Sequence, residues 1–485
     1  MVRRQNVFIG SRIARLTLGA DVAPLRPPAP VDPLRDVAAA TAEALRYPLS
    51  GATLEQLATR RGRATIVVDR ALLPVPGTAE GDPRQDALAA VIDELHAQGM
   101  PHERQTLLVA GGIEQRAGRR ELEALLRPDR ARAFRGDVVT HDCEADDLRA
   151  VGEVESVAVR MHPALLDADL VVTVTAAETV LHGGPAAITG ACGPGVGRAL
   201  VADSLLETRS ARGWRLGVGV EALLARHTPV LGVSLVLGLP RPTSTRGPLR
   251  FLHNLAPDAL RRSRLDGAMP PLGASPVLAG PPSVAHAEGL IRGVALRAVA
   301  LPHQLDAIVV PLPWSDAHSP RGPLNPITVA ATGLGIGLRL WREASPLAPG
   351  GTIVLVHPLT RTMGHGSRAP YRALFAALRN GPAGARLRET EAVAARDPRA
   401  LGAYREGRAP HPRLPFADWE GCAPPIAHAG RVIVAGCRDA GAARSLGFVP
   451  SRSLTAALEM ARGLAGPDGR IGFLSAPPYP PLLVG

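Results

Sequence analysis

The chain has 485 residues and a formal net charge of +11, and every one of its 55 basic side chains is arginine. Without an ε-amine, Schiff-base catalysis, covalent pyridoxal phosphate, a P-loop lysine and lysine-anchored cofactors are excluded, because a guanidinium stays protonated and is a poor nucleophile. With 46% hydrophobic, 20% charged and 3% aromatic residues, the composition is that of an ordinary globular protein of two or three domains at roughly 150 to 200 residues each, with few stacking platforms for nucleic acid.

No apolar stretch approaches the roughly 20 residues needed to cross a bilayer, and the N-terminal MVRRQNVFIGSRIARL lacks the apolar core and cleavage site of a signal peptide. The cytoplasm is the expected location. Cys143, Cys192, Cys422 and Cys437 have neither zinc nor disulfide-framework spacing, so they read as free thiols. Pro24, Pro27, Pro28, Pro30 and Pro33 make residues 1–35 an extended lead-in. A strand follows at 65–69 (TIVVD), an amphipathic helix at 84–98, and a second strand at 106–110 (TLLVA). The arginines between Arg116 and Arg135 are interleaved with Glu121, Glu123, Asp129 and Asp137, the pattern of a solvated helix face. Further strands are predicted at 137–140, 156–160, 169–175 and 229–237, with helices near 121–126 and 198–207. Residues 36–282 therefore read as one α/β domain.

A segment rich in Pro, Gly and Arg runs to 282, and a hinge is placed at 283–302. The second domain, 303–485, has strands at 307–311 and 352–357, a glycine-rich helix at 326–343, later elements at 371–378 and 431–435, and a closing helix at 454–464. Strands alternating with helices predict two α/β domains, each with a mostly parallel sheet flanked by helices, and a cleft between them.

Five stretches carry a family resemblance by order and spacing: VVDRALLPVP (67–76), LLVAGGIEQRAG (107–118), DVVTHDCEADDLRAVGEV (137–154), DADLVVTVTAAETVLHGGPAAITGACGPGVGRAL (167–200) and LAPGGTIVLVHPLTRTMGHG (347–366). Together with SLGFVPSRSLTAALEMA (445–461), they make the chain resemble the nickel-pincer lactate racemase family. That resemblance implies a two-domain α/β enzyme with its site in the cleft. It also implies a nickel ion held by a modified nicotinic nucleotide tethered through lysine, histidines as acid and base, and racemisation of a 2-hydroxy acid by hydride transfer.

Residue by residue, the sequence departs from this pattern. Leu73 stands where a substrate-binding arginine is expected, Glu114 where a catalytic histidine is, and Pro185 and Ala186 where Arg-Lys would carry the tether. Asp203 and Ser204 lie nearest the expected metal-ligand histidine. The remaining polar groups supply the candidates: Glu114, Glu178 and His182 as catalytic residues, with His182 at a strand end where open α/β sheets bind ligands. Gly183, Gly184, Thr189, Gly193 and Gly195 form a loop whose amides suit a phosphate or carboxylate. His141 and Asp142 read as structural, and the GLGIG run at 333–337 as close helix packing.

From the second domain, Asp316, His318 and Asn325 are expected to face substrate, and His357 and His365 are candidate metal ligands. The expected partner is a small hydroxy acid or other small anion, with no specific nucleic acid and no membrane. Three readings stay open. The protein is an isomerase with an altered or untethered cofactor, an inactive racemase-fold protein binding a metabolite, nucleotide or partner chain, or a hydrolase or lyase using Glu114 with His182.

Overall fold

A computed structural model describes residues 3–10, 12–69, 84–238, 255, 273–313, 324–363, 368–379, 384–474 and 479–485. Uninterrupted β-branched and leucine-rich runs form strands buried on both faces. The first sheet has six strands in the order Ala274–Gly280, Val230–Leu237, Leu170–Ala176, Ala64–Asp69, Gln105–Ala110 and Asp137–Thr140. All its pairings are parallel except that of the Ala274–Gly280 edge strand. The three runs 65–69, 106–110 and 169–175 thus share one sheet. The second sheet, fully parallel, runs Val449–Ser451, Arg431–Ala435, Leu347–Val356, Leu305–Pro311, Ile471–Leu474 and Val22–Leu25.

Helices cover both sheets, and the cores meet. Gln85–Ala97 buries Leu88, Val91, Ile92 and Leu95 on one face of the first sheet, and Arg212–Ala225 buries Leu216, Val220 and Leu224 on the other. Trp214, Leu205 and Leu290 of the first half join Ile308, Leu334 and Leu355 of the second in a single cluster, so the two halves are packed together rather than loosely tethered. No described helix is long and apolar enough to cross a membrane.

The observed order differs from the expected one in several places. The N-terminal residues are not a lead-in: Arg3–Ile9 and Arg12–Leu18 form an antiparallel hairpin, and Val22–Leu25 pairs with Ile471–Leu474 in the second sheet. Pro24 is tolerated because that strand lies at the sheet edge. The segment expected as a hinge is a helix, Pro282–Arg297, with Pro282 at its first position and Ala285, Leu290 and Val294 buried. It packs on Val230–Leu237 and Ala274–Gly280.

Residues 157–161 form a separate hairpin with Arg149–Val154 instead of joining the sheet. The helix expected at 198–207 stops at Ala199, because the following residues bond to the second half: Leu205 N–H donates to Arg339 O at 2.7 Å. The helix expected at 326–343 is shorter, an α-helical turn at Pro326–Ala330 continuing as a π-helix over Ala331–Gly337.

Candidate active site

The carboxyl ends of the first sheet open into a cavity of about 490 Å³ between the two halves. After Gln105–Ala110 the chain makes a tight turn. Gly112, at φ +52°, donates its N–H to Gly190 O at 2.8 Å, and Glu114 N–H donates to Gly111 O at 2.9 Å. The turn presents the Glu114 carboxylate to the cavity.

The second half holds this turn from behind. Tyr404 OH donates to Gly112 O at 3.0 Å and accepts from Cys143 N–H at 3.1 Å, and His411 N–H donates to Ile113 O at 3.0 Å. Gln115 Nε2 donates to Gly407 O at 2.7 Å, and the His411 ring meets Glu144 at 2.9 Å.

Beyond Leu170–Ala176 the chain turns back through Thr179 to His182. Gly183 and Gly184 follow with φ of +81° and +53°, and a Cβ on Gly184 would stand 2.4 Å from the Cβ of His286. This pair of residues must be glycine for backbone and packing reasons together. His286 is fully buried, bonded to Thr179 O at 2.8 Å and stacked on Trp214, and burial lowers its pKa to about 4, so it is a neutral structural ring.

His182 Nε2 lies 3.6 Å from Glu114 Oε1 at the cavity wall. Its Nδ1 lies 3.0 Å from Thr179 Oγ1. That hydroxyl accepts from Leu181 N–H at 3.3 Å, and in the tautomer where its own hydrogen goes to Nδ1 the ring N–H stands on Nε2, facing Glu114. The result is a partly exposed imidazole facing a nearly buried carboxylate, the arrangement of an acid–base pair. Asp69, at the end of its strand, also lines the cavity and is paired with buried Arg84 at 2.6 Å.

The structure sorts the other candidates. Gly183 and Thr189 line the cavity with Gly190 and Gly197, but Thr189 Oγ1 donates to Ala186 O at 2.6 Å. Gly184, Gly193 and Gly195 are not on the wall: Gly184 N–H donates to Thr175 Oγ1, Gly193 N–H to Arg160 O, and Gly195 is exposed. Glu178 does not orient His182. It is buried away from the cavity, where its charge offsets the burial of Arg297. Asn325 is a helix cap, not a substrate contact. Its Oδ1 accepts from Ile327 and Thr328 N–H, which the Asn-Pro pair at a helix start favours.

His357 is buried, and its pKa is lowered to about 4 by burial alone. No cluster of three His, Cys, Asp or Glu able to hold a metal occurs among the described residues. Asp316, His318 and His365 lie outside the described residues. His141 is buried with its ring on Cys192 O at 2.9 Å, as a structural residue would be. Thr179, Tyr404 and Arg339, which lines the cavity from the second half, carry no motif and were not singled out by sequence.

The lysine-tethered nickel-pincer nucleotide that the resemblance implies does not fit these residues. Ala186 occupies the tether position on a buried helical turn, and the chain has no lysine. At the metal-ligand position Asp203 is exposed, and Ser204 Oγ donates to the carbonyls of Arg339 and Trp341.

Fold and site together define an α/β protein of two mostly parallel sheets with a cavity at strand ends of the first. Residues 11–187 match the lactate racemase N-terminal domain. The whole fold is similar to that of the lactate racemase apoprotein from Thermoanaerobacterium thermosaccharolyticum, with a TM-score of 0.60, 14% identity, and 98% of each chain covered. It is also similar to a protein from Thermotoga maritima, with a TM-score of 0.53 and 11% identity over 94% of this chain and 100% of that one. No curated protein matches the sequence. The N-terminal part of the chain is thus similar to the lactate racemase N-terminal domain, and the fold of the whole chain is that of the lactate racemase apoprotein.

Proposed function

We propose that the protein is a racemase or epimerase of a small 2-hydroxy acid, in which Glu114 and His182 act on the substrate hydroxyl. The observation behind this reading is their 3.6 Å approach on the wall of one cavity, with His182 fixed through Thr179. That separation exceeds a hydrogen bond, and catalytic pairs commonly tighten only around substrate. Glu114 then accepts the hydroxyl proton and returns it after inversion, while the Nε2–H of His182 stays a hydrogen-bond donor to the same oxygen. Inversion at carbon also needs an acceptor for the hydride or electron pair that these side chains do not supply, so the cofactor is an untethered or different one. A cytoplasmic location is part of the same reading.

The missing tether favours a second reading, a catalytically inactive racemase-fold protein that binds a metabolite, nucleotide or partner chain in the same cavity. The two separate in a chiral assay of D- and L-lactate and related 2-hydroxy acids, with nickel and free cofactor supplied. Interconversion by the wild type supports the first reading, and its absence across the panel leaves the second. Denaturing mass spectrometry is expected to give the unmodified chain mass; a covalent nucleotide adduct would overturn the untethered cofactor.

A further inference from the structure

We propose that Arg339, reaching the cavity from the second half of the chain, is the anchor for the carboxylate of a small organic acid. A buried arginine is normally neutralised by a neighbouring carboxylate, since an uncompensated charge in low dielectric is costly. Of the three buried arginines among the described residues, Arg84 is ion-paired with Asp69 at 2.6 Å, whereas Arg297 and Arg339 are not; the charge of buried Glu178 acts on Arg297, and that of exposed Asp203 on Arg339. Arg339 is 4% exposed, and among the described residues no carboxylate stands within ion-pair distance of it.

Its protein partners are all backbone carbonyls. Nε donates to Asp203 O at 3.2 Å, Nη1 to Gly335 O at 3.0 Å, and Nη2 to Ala202 O. A guanidinium has five N–H donors, so one on each terminal nitrogen has no acceptor among the described residues. One donor on each of two adjacent nitrogens is what a carboxylate takes in bidentate fashion. The acid whose charge acts on it, Asp203, is exposed to solvent and offers its backbone oxygen. Burial holds the guanidinium pKa down to about 10, consistent with a cation lacking its partner.

The same cavity holds Glu114 and His182. A ligand anchored at Arg339 on one half would thus present its other groups to the acid–base pair on the other. The three carbonyl bonds fix the guanidinium before any ligand arrives, so little ordering cost remains on binding.

The test uses the full chain, with calorimetric titration of L-lactate, D-lactate and glycolate against neutral lactamide, and folding checked by circular dichroism and thermal midpoint. Wild type is expected to bind the carboxylates and not the amide. Arg339→Met is expected to weaken L-lactate by roughly 30-fold or more, and Arg339→Lys by about tenfold, because lysine keeps the charge but loses the fork. Where Arg339→Met fails to fold, Arg339→Lys decides.

Unchanged lactate affinity in a folded variant, equal binding of lactate and lactamide, or no binding of any of these carboxylates by the wild type overturns the anchor. The choice of probes rests on the proposed hydroxy-acid reading, but the two fail separately. If Arg339 variants lose lactate while Glu114→Gln and His182→Ala leave turnover intact, the acid–base reading falls and the anchor stands.

Discussion

The two sheets, one fully parallel and one parallel but for an edge strand, present their carboxyl ends in opposite ways. The first sheet ends in Asp69, Glu114 and His182, all on the cavity wall. The second ends in Leu312, His357 and Met363, all buried. Its ends are closed by the N-terminal hairpin, whose Gly10 donates its N–H to Leu312 O at 3.0 Å and pairs with Pro313. The same strand-end position faces a cavity in one sheet and is buried in the other, so fold alone does not locate a site. What decides is whether a turn aims a titratable group at open space.

The largest expected effect breaks the comparison at its active side. Glu114→Gln and His182→Ala are each expected to lower turnover of a 2-hydroxy acid by roughly 10² to 10⁴-fold, the usual contribution of a general acid or base. Because the two residues act as one unit, the double variant is expected to lose little more than either single one. Steady-state rates for the three variants check this, and fully multiplicative losses would separate the pair.

Next in size is acid sensitivity, which comes from both sides. His141, His286 and His357 are buried neutral, their pKa values pushed from 6.5 down to about 4 by desolvation. The unfolded chain binds these protons first, so this stability is fully present above pH 6.5 and is lost as pH falls toward 4. Each ring contributes at most about 3 kcal/mol. Urea midpoints between pH 7 and 4.5 are expected to fall steadily; a flat profile would show that the rings titrate normally.

A smaller effect tests how the reactive turn is held. Tyr404→Phe removes the hydroxyl that joins Gly112 O and Cys143 N–H, leaving two buried backbone groups unpaired. The expected cost is about 1–3 kcal/mol in denaturant unfolding. The catalytic rate is expected to fall as well, since this contact backs the turn bearing Glu114. Loss of stability with an unaltered rate would show that the clamp supports the fold and not the site.

The strands beneath the site were legible because TIVVD, TLLVA and LVVTVT are buried runs that need no distant information. Glu114 and His182 were legible as titratable residues just after such runs. The helix Arg212–Ala225 was hidden by its glycines, which weaken helical propensity, yet Gly213 and Gly219 are required by close neighbours: a Cβ there would meet Leu181 and Val154 at 2.4 and 2.3 Å. The N-terminal strands, the irregular path after Ala199 and the roles of Arg339 and Tyr404 depend on partners more than 100 residues away, and no local pattern encodes those. Asn325 shows a different failure. Its Asn-Pro signal marked a helix start, but the side chain was assigned to substrate when its oxygen was already committed to capping.

The smallest expected effect falls on the quiet side of the comparison. His357 sits at a strand end of the second sheet, where its backbone N–H donates to Ala435 O at 3.1 Å, and its buried Nδ1 has no hydrogen-bond partner among the described residues. A buried polar atom without a partner costs more than an apolar group of similar shape, so His357→Leu is expected to change stability at pH 7 by less than about 1 kcal/mol, or to raise it slightly. Removing a ring that must stay neutral also removes one source of acid sensitivity, so the variant's stability is expected to fall less steeply below pH 6 than that of the wild type. Turnover and metal content are expected to be unchanged, as measured by the chiral assay and by elemental analysis of the purified protein. A drop in bound metal or in rate would make His357 a ligand after all, and the second sheet's carboxyl ends would then belong to the site.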